Sequence, residues 1–384
     1  MARVLIASYP DDVHAFEVAL ALRNLGHEAQ IWHGADFPTR QRASIRFDGN
    51  DVRWSVQGPE LDIGDRRFDT VWHRRPTPPA LPQDLHPGDL PVARRECEDF
   101  IDGLWHLVEP DALWVNPLAS RRRSNLKAVQ LLEATRAGFS IPPTLVSNDP
   151  TAIRAFLQTN EPAIYKAFYP AQWEHGEDVA VLMTSELSAA DLPEDDVLRL
   201  TPGIFQHRVP KAHELRVNYL GGSLIIARLL SQQAEVTRLD WRASAAALAV
   251  EPDELSADGE RACHELMRRL GLVFGCIDLI VTPDDELVFL EVNPMGQFLW
   301  VEDCCPELPL LDAFTAFLAA GRNQFQYAPS KNPLRHHDYY DRAMARLEAA
   351  KQIHIDTVES FVSRDEPASL KSEHDGLRDA EALG

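Results

Sequence analysis

Asp278, Glu291 and Asn293 are spaced as side chains that could hold a metal ion together. The runs Cys276-Ile277-Asp278-Leu279-Ile280-Val281 and Leu287-Val288-Phe289-Leu290-Glu291-Val292-Asn293 flank the turn residues Pro283-Asp284-Asp285-Glu286, and so read as a β-hairpin. With those turn residues unpaired, Thr282 faces Leu287, Ile280 faces Phe289 and Asp278 faces Glu291, while Asn293 lies on the same side two residues further on. Opposed carboxylates repel unless a cation lies between them. A small set of hard oxygen ligands without His or Cys suits a Mg2+ ion that keeps several waters and also binds nucleotide phosphates. The alternative is a solvent-facing hairpin with incidental acids.

Cationic side chains could supply the other half of such a site. Ser124 is placed to cap a helix running through Leu126, Val129, Leu132 and Ala134 to Gly138, which puts Lys127 in its first turn. The helix dipole disfavours a cation there, so a bound anion would account for it, with Arg121, Arg122 and Arg123 adding to the same field. A solvated basic surface is the other reading. Lys166 sits in the otherwise apolar strand Ala163-Ile164-Tyr165-Lys166-Ala167-Phe168, where a phosphate would partner a buried ammonium, or the strand lies at an exposed edge. Glu214, Arg216 and Asn218 share one face of a hairpin turning at Gly221-Gly222. Arg216 could stabilise a transferring phosphoryl group, or pair with Glu214. Gln206 lies at a junction where a backbone amide and carbonyl could meet an adenine.

The elements that must position these residues alternate between α/β and α+β patterns. Val4-Leu5-Ile6-Ala7, a helical pattern through Phe16, Ala19, Leu20 and Leu22, then Gly26 and a strand over 29–32, form a βαβ unit. Its first loop, Ser8-Tyr9-Pro10-Asp11-Asp12, lacks the glycines of a dinucleotide site. Strands over 44–47, 52–56 and 70–72 follow, the last leading into Arg74-Arg75-Pro76. Asp149-Pro150 caps another helix, and strands over 163–168 and 179–184 flank a loop. A helix over 256–270 ends at Gly271 before the acidic hairpin. The expected division is an N-terminal domain over 1–115, a central one over 116–200, a C-terminal one over 201–321, and a helical extension over 322–384 whose last twenty or so residues are disordered. In the extension, Tyr340, Met344, Leu347 and Phe361 form an apolar stripe that could pair between subunits in a homodimer or pack on its own domain.

Composition narrows the function classes. The 384 residues are 45% hydrophobic and 25% charged, an ordinary globular composition long enough for two or three domains. A net charge of −21 argues against nucleic acid as partner. Cys97, Cys263, Cys276, Cys304 and Cys305 include no Cys-x-x-Cys spacing, so reduced thiols in a cytoplasmic protein are expected. The opening residues show no signal-peptide pattern and no stretch is apolar enough to span a membrane.

The order Lys127, Lys166, Gln206, Glu214-Leu215-Arg216, Asp278 and Glu291-Val292-Asn293-Pro294 resembles the ATP-grasp superfamily of carboxylate-amine ligases. More narrowly, Trp72-His73-Arg74-Arg75-Pro76, Ile141-Pro142-Pro143-Thr144, Asp240-Trp241-Arg242 and the run from Phe289 through Met295-Gly296-Gln297-Phe298-Leu299-Trp300 resemble the graspetide synthetases, the microviridin-type peptide macrocyclases. The resemblance covers about residues 1–320. It implies an ATP-grasp fold with an N-terminal pre-ATP-grasp α/β domain, a central domain and a C-terminal grasp domain.

The resemblance also implies an enzyme that uses ATP and Mg2+ to phosphorylate Asp or Glu side chains of a ribosomal precursor peptide carrying a leader. A Thr or Ser hydroxyl, or a Lys amine, of the same peptide then attacks the acyl phosphate, giving an ω-ester or amide ring. On this carry-over Lys127 and Lys166 hold phosphates, and Gln206, His207 and Val209 line the adenine site. Asp278, Glu291 and Asn293 hold Mg2+, Arg216 stabilises phosphoryl oxygens, and Arg242 with Asp240 meets the substrate carboxylate. His207 departs from the Glu frequent in the family at that position, and the extension beyond residue 320 has no counterpart. A ligase acting on free amino acids or a protein terminus would use the same parts, and a peptide-binding module that has lost catalysis would retain the fold.

Overall fold

Val4, Leu5, Ile6 and Ala7 are fully buried because β1 (Arg3–Ser8) is an inner strand of a parallel sheet. The computed structural model describes residues 1–64, 67–168, 171–175, 178–182, 184–244 and 247–356. Helix α1 (Val13–Asn24) carries the chain from β1 to β2 (Glu28–His33), as the βαβ pattern requires. Strands β3 (Arg42–Asp48), β4 (Asp51–Gly58) and β5 (Leu61–Gly64) form a separate antiparallel sheet. Strand β6 (Thr70–His73), helix α2 (Leu90–Trp105) and β7 (Leu113–Val115) complete the parallel sheet in the order β2-β1-β6-β7.

The next helices differ from expectation at their boundary. Ser124 ends α3 (Leu118–Ser124) instead of capping α4 (Lys127–Ala137); its hydroxyl donates to the Arg121 carbonyl at 3.1 Å. Extended Leu126 precedes α4, so Lys127 still opens that helix. Strand β8 (Thr144–Ser147) leads to α5 (Pro150–Thr159), where Asp149 accepts the Thr151 amide at 2.9 Å in the expected cap. Beyond β9 (Ala163–Lys166), the stretch expected as a loop carries β10 (Ala171–His175), which pairs with β11 (Asp178–Leu182) as a two-stranded ribbon. Strand β12 (Ser185–Leu187), the short α6 (Asp195–Leu198) and β13 (Gly203–His207) follow. The sheet order β12-β9-β13-β8 places β13 among strands from before residue 200.

A five-stranded antiparallel sheet, β16-β15-β14-β17-β18, carries the acidic hairpin. Its members are β14 (His213–Leu220), β15 (Ser223–Leu229), β16 (Val250–Asp253), β17 (Phe274–Val281) and β18 (Leu287–Asn293). Helix α7 (Ala257–Leu270), capped by Ser256 and ended by Gly271 at φ +70°, packs Cys263, Leu266 and Met267 against Leu215, Val217, Ile277 and Phe289 on one face. On the other face, α8 (Leu299–Cys304) and α9 (Leu310–Ala320) share a core with α1 and Trp72, so the N-terminal sheet and the acidic hairpin are joined by continuous packing.

The hairpin register agrees with expectation only at its open end. Asp278 pairs with Glu291 and Cys276 with Asn293, but a bulge follows Asp278, so Ile280 faces Val288 and Val281 faces Leu287. The extra residue, Leu290, sits in β18.

Helix α10 (His337–Ile353) packs along α1, burying Tyr339, Ala343, Leu347 and Ala350. The inward stripe is therefore one residue out of phase with the expected Tyr340; Tyr340 is exposed, Met344 is partly buried, and Phe361 lies outside the described residues. That buried face is occupied by the chain's own domain, so a homodimer would need another surface. The expected disordered tail also lies outside the described residues. Among the described residues no helix is long and apolar enough to cross a membrane.

Candidate active site

Strand pairing brings Arg216 of β14, Asp278 of β17 and Glu291 of β18 side by side across three adjacent strands. Arg216 is buried and its Nη1 donates to both Asp278 oxygens, at 2.7 and 2.9 Å; Nη2 donates to the Gln297 carbonyl at 2.9 Å. Arg216 therefore pairs with Asp278 and not with Glu214, which takes Lys211 at 2.6 Å. Burial works against the guanidinium charge, but Asp278 outweighs it and holds the Arg216 pKa above its ordinary value.

The cations that opposed carboxylates demand are supplied here by the chain. Arg242 Nη2 lies 2.7 Å from Glu291 Oε1 and 3.4 Å from Asp278 Oδ2, so one nitrogen bridges the two acids. Lys127 donates to Glu291 Oε2 from the first position of α4. Burial would raise the Glu291 pKa, yet Lys127 and Arg242 hold it well below the usual carboxylate range. Lys166, the last residue of β9, makes no ion pair among the described residues. Burial lowers its pKa while the charge of Glu291 raises it, which places its ammonium in the same field.

Arg242 lies on a short 3-10 turn over Trp241–Ala243, which Asp240 caps. Asp240 Oδ1 accepts the Arg242 amide at 3.1 Å, and Oδ2 accepts from the Thr184 hydroxyl at 3.1 Å. Trp241 stacks on Trp300 at 4.5 Å, and the Arg242 guanidinium lies 5.0 Å from the Trp241 ring.

Asn293 and Gln206 occupy environments that differ from simple ligand positions. The Asn293 Oδ1 accepts the amides of Met295 and Gly296, both at 3.1 Å, closing a turn just past β18. Gln206 is in the ladder on both sides, facing Thr144 and Ile164, so its backbone belongs to the sheet and is not open to an adenine. Its Nε2 donates to Thr144 Oγ1 at 2.9 Å while Oε1 is buried without a partner among the described residues. The His207 amide donates to the Pro143 carbonyl at 2.9 Å, and its Nδ1 lies 3.1 Å from the Asn160 carbonyl; partly buried Val209 follows the strand. Of the expected arginine field, Arg121 contacts His73 at 3.2 Å and Arg123 binds Glu133 at 2.6 Å, so neither joins Lys127.

Sequence reasoning missed the residues that clamp this hairpin to the rest of the molecule. Buried Arg74 pairs with Asp12 at 2.5 Å and donates to the carbonyls of Met295 and Gly296 at 3.0 and 2.7 Å. Asn116 donates to the carbonyls of Phe274 and Pro294, at 2.9 and 2.7 Å, and accepts the amides of Val273 and Phe274 at 2.8 and 2.9 Å. The Trp72-His73-Arg74-Arg75-Pro76 run was the available signal for Arg74; Asn116-Pro117 marked only a boundary.

No protein-family model and no curated protein matches the chain. Solved structures do. The RiPP-associated ATP-grasp ligase of Chryseobacterium gregarium, solved with ADP and a leader and core peptide, is 25% identical, with a TM-score of 0.76 over 85% of this chain and 100% of that one. Macrocyclase MdnC of Microcystis aeruginosa MRC, solved with precursor peptide MdnA, is 28% identical with a TM-score of 0.71 over 82% of this chain and 98% of that one. Macrocyclase MdnB of the same organism is 30% identical with a TM-score of 0.69, covering 84% of this chain and 100% of that one. With its cation-caged carboxylate hairpin and 30% identity to MdnB over 84% of this chain and 100% of that one, the chain belongs to the ATP-grasp macrocyclases of ribosomal peptides, the graspetide synthetases.

Proposed function

We propose that the chain closes rings on a ribosomal precursor peptide by ATP-dependent ester or amide formation between its side chains. The observation that carries this reading is the convergence of Lys127, Arg216 and Arg242 on Asp278 and Glu291, with Lys166 in the same field. Phosphoryl transfer needs positioning and charge neutralisation more than a protein nucleophile, and this cluster offers both. The relatives solved with ADP and with leader, core or precursor peptide support the same substrates for this chain.

The residues present fit Mg2+. Asp278 and Glu291 are hard oxygen donors on facing positions, and a single cationic nitrogen already bridges them. We assign Asp278 and Glu291 to the ion, with Asn293 holding the turn beside them as well as offering its amide oxygen. When bound, Mg2+ would neutralise the phosphate oxygens of ATP and orient them for transfer. Lys127 and Lys166 bind the phosphates as point charges, and Arg216 is fixed by Asp278 so that its fork cannot turn away. Gln206 borders the adenine site through its side chain, its backbone being taken up by the sheet, with His207 and Val209 beside it. Arg242, with Asp240 setting its turn, receives the peptide carboxylate that becomes an acyl phosphate before a hydroxyl or amine of the same peptide displaces the phosphate.

We assign residues 1–115, 116–200 and 201–321 to the three ATP-grasp parts and 322–384 to an extension, with β13 contributing to the central sheet. Five free cysteines suit a cytoplasmic setting. The test is intact-mass analysis of small peptides rich in Thr and Asp or Glu, encoded nearby, after incubation with the protein, ATP and Mg2+. Loss of one water per ring, dependent on ATP, is expected. ATP turnover stimulated by free amino acids with no change in any peptide mass would overturn the reading.

A further inference from the structure

Every carboxylate oxygen of Asp278 and Glu291 already carries a cationic donor from the protein. Arg216 covers both oxygens of Asp278, Lys127 covers Glu291 Oε2, and Arg242 covers Glu291 Oε1 while reaching Asp278 Oδ2 at 3.4 Å. An ion placed between the acids would therefore compete with these cations for the same oxygens, most directly with the one that bridges them. Arg216 cannot leave easily: it is buried mid-strand and also held by the Gln297 carbonyl. Lys127 touches only the outer oxygen of Glu291, and its departure would leave the two acids bridged. Arg242 is the bridging group, its side chain is 43% exposed, and it rises from a short turn instead of a strand.

We infer that Arg242 is an internal counter-ion that yields its place to Mg2+, so that its guanidinium reaches a substrate carboxylate only once the metal is loaded. The inference rests on the ATP and Mg2+ reading above and adds an order to it: nucleotide and metal first, peptide carboxylate second. Besides the two acids, Arg242 is already held by the Trp241 ring, 5.0 Å from its guanidinium, and by Asp240 Oδ1, 3.4 Å from its Nη1, contacts that do not depend on Asp278 or Glu291. One arginine thus serves two anions in turn. Before loading it prevents the repulsion of Asp278 and Glu291, and after loading it is the cation that recognises the substrate. An acidic peptide arriving first would find Arg242 engaged.

The experiment is a calorimetric titration of Mg2+ into the full chain saturated with ADP, comparing wild type, Arg242→Gln and Arg242→Lys, with tryptophan fluorescence followed in parallel. Removing the competing cation should tighten Mg2+ binding about fivefold in Arg242→Gln, with Arg242→Lys between it and wild type. The wild-type protein should show an Mg2+-dependent fluorescence change that Trp241→Phe and Arg242→Gln both lose. Equal or weaker Mg2+ binding by Arg242→Gln, with Arg242→Lys unchanged from wild type, would overturn the exchange while leaving the metal site intact. Failure of wild type and both variants alike to bind Mg2+ with ADP would instead sink the metal assignment, and this inference with it.

Discussion

Asp278 and Glu291 face each other, yet their removal should have different consequences. Arg216 and Asp278 are both buried, so Asp278→Ala leaves a guanidinium uncompensated in the interior and should cost about 3–5 kcal/mol of stability. The Glu291 pair lies in a half-open environment, its carboxylate 26% and the Lys127 ammonium 29% exposed, where screening makes an ion pair worth about 1 kcal/mol at most. Glu291→Gln should therefore abolish ring formation with little loss of stability, whereas Asp278→Ala should lose both. Urea denaturation beside the intact-mass assay separates the two; equal unfolding midpoints for the two variants would contradict the assignment of Arg216 as a buried counter-ion. The acids themselves were legible in sequence because an apolar hairpin makes its few charges conspicuous. Lys127, Arg216 and Arg242 also stood out as site residues, but their pairing with these acids did not, since Lys127 is 164 residues from Glu291 and Arg242 is 49 away, and no local spacing encodes such distances.

At the scale of elements, the acidic hairpin shows why a correct pairing can coexist with a shifted register. Val288, Phe289 and Leu290 are all apolar, so sliding one strand by a residue leaves the hydrophobic pattern unchanged and a bulge leaves no trace in it. The caps of α5 and α7, and the turn at Gly221-Gly222, were legible because they are set by local backbone chemistry. Ser124 misled for a related reason: the same hydroxyl that caps one helix can bond back at the end of another. The segment after β18 is positioned by longer-range contacts. Gly296 has φ +56°, and a Cβ there would come within 2.6 Å of the buried Phe274 ring. Its neighbours' carbonyls are those that Arg74 and Arg216 grip. Gly296→Ala should cost roughly 1 kcal/mol for the left-handed backbone and about 1–3 kcal/mol for overpacking. It should also weaken Mg2+ binding by moving the strand end that carries Glu291 and Asn293. A lowered urea midpoint together with a raised Mg2+ dissociation constant is the expected pair of readings; an unchanged midpoint would show that the segment is not fixed by this contact.

Across the whole molecule, two buried histidines at the ends of α10 tie the chain's later residues back to its N-terminal part, one to α1 and one to the turn after β2. His336 sits between Glu17 of α1 at 2.5 Å and Asp303 of α8 at 2.9 Å, and its own amide donates to Glu302 at 2.9 Å. His354, at the far end, meets Asp36 at 2.6 Å. Burial opposes a charge on His336, but hydrogen bonds to Asp303 and Glu17 prevail and raise its pKa to about 10. A histidine raised in the folded state contributes stability that is complete below its unfolded pKa of about 6.5 and is lost as pH climbs through about 10. Glu17, whose pKa burial raises to about 7, acts in the same sense at lower pH, since a carboxyl raised by folding also loses stability as pH rises. The stability difference between wild type and His336→Gln should therefore be greatest near pH 6 and shrink steadily toward pH 10. Because α1 follows the loop that supplies Asp12 to Arg74, loosening α10 should reach the carbonyls of Met295 and Gly296 through a chain of direct contacts. Urea unfolding of both proteins at several pH values, with Mg2+ binding measured at each, tests this. A difference that does not change with pH would mean His336 acts by packing alone. A pH-dependent difference with constant Mg2+ affinity would confine the histidine clamp to stability and leave the active site independent of the extension.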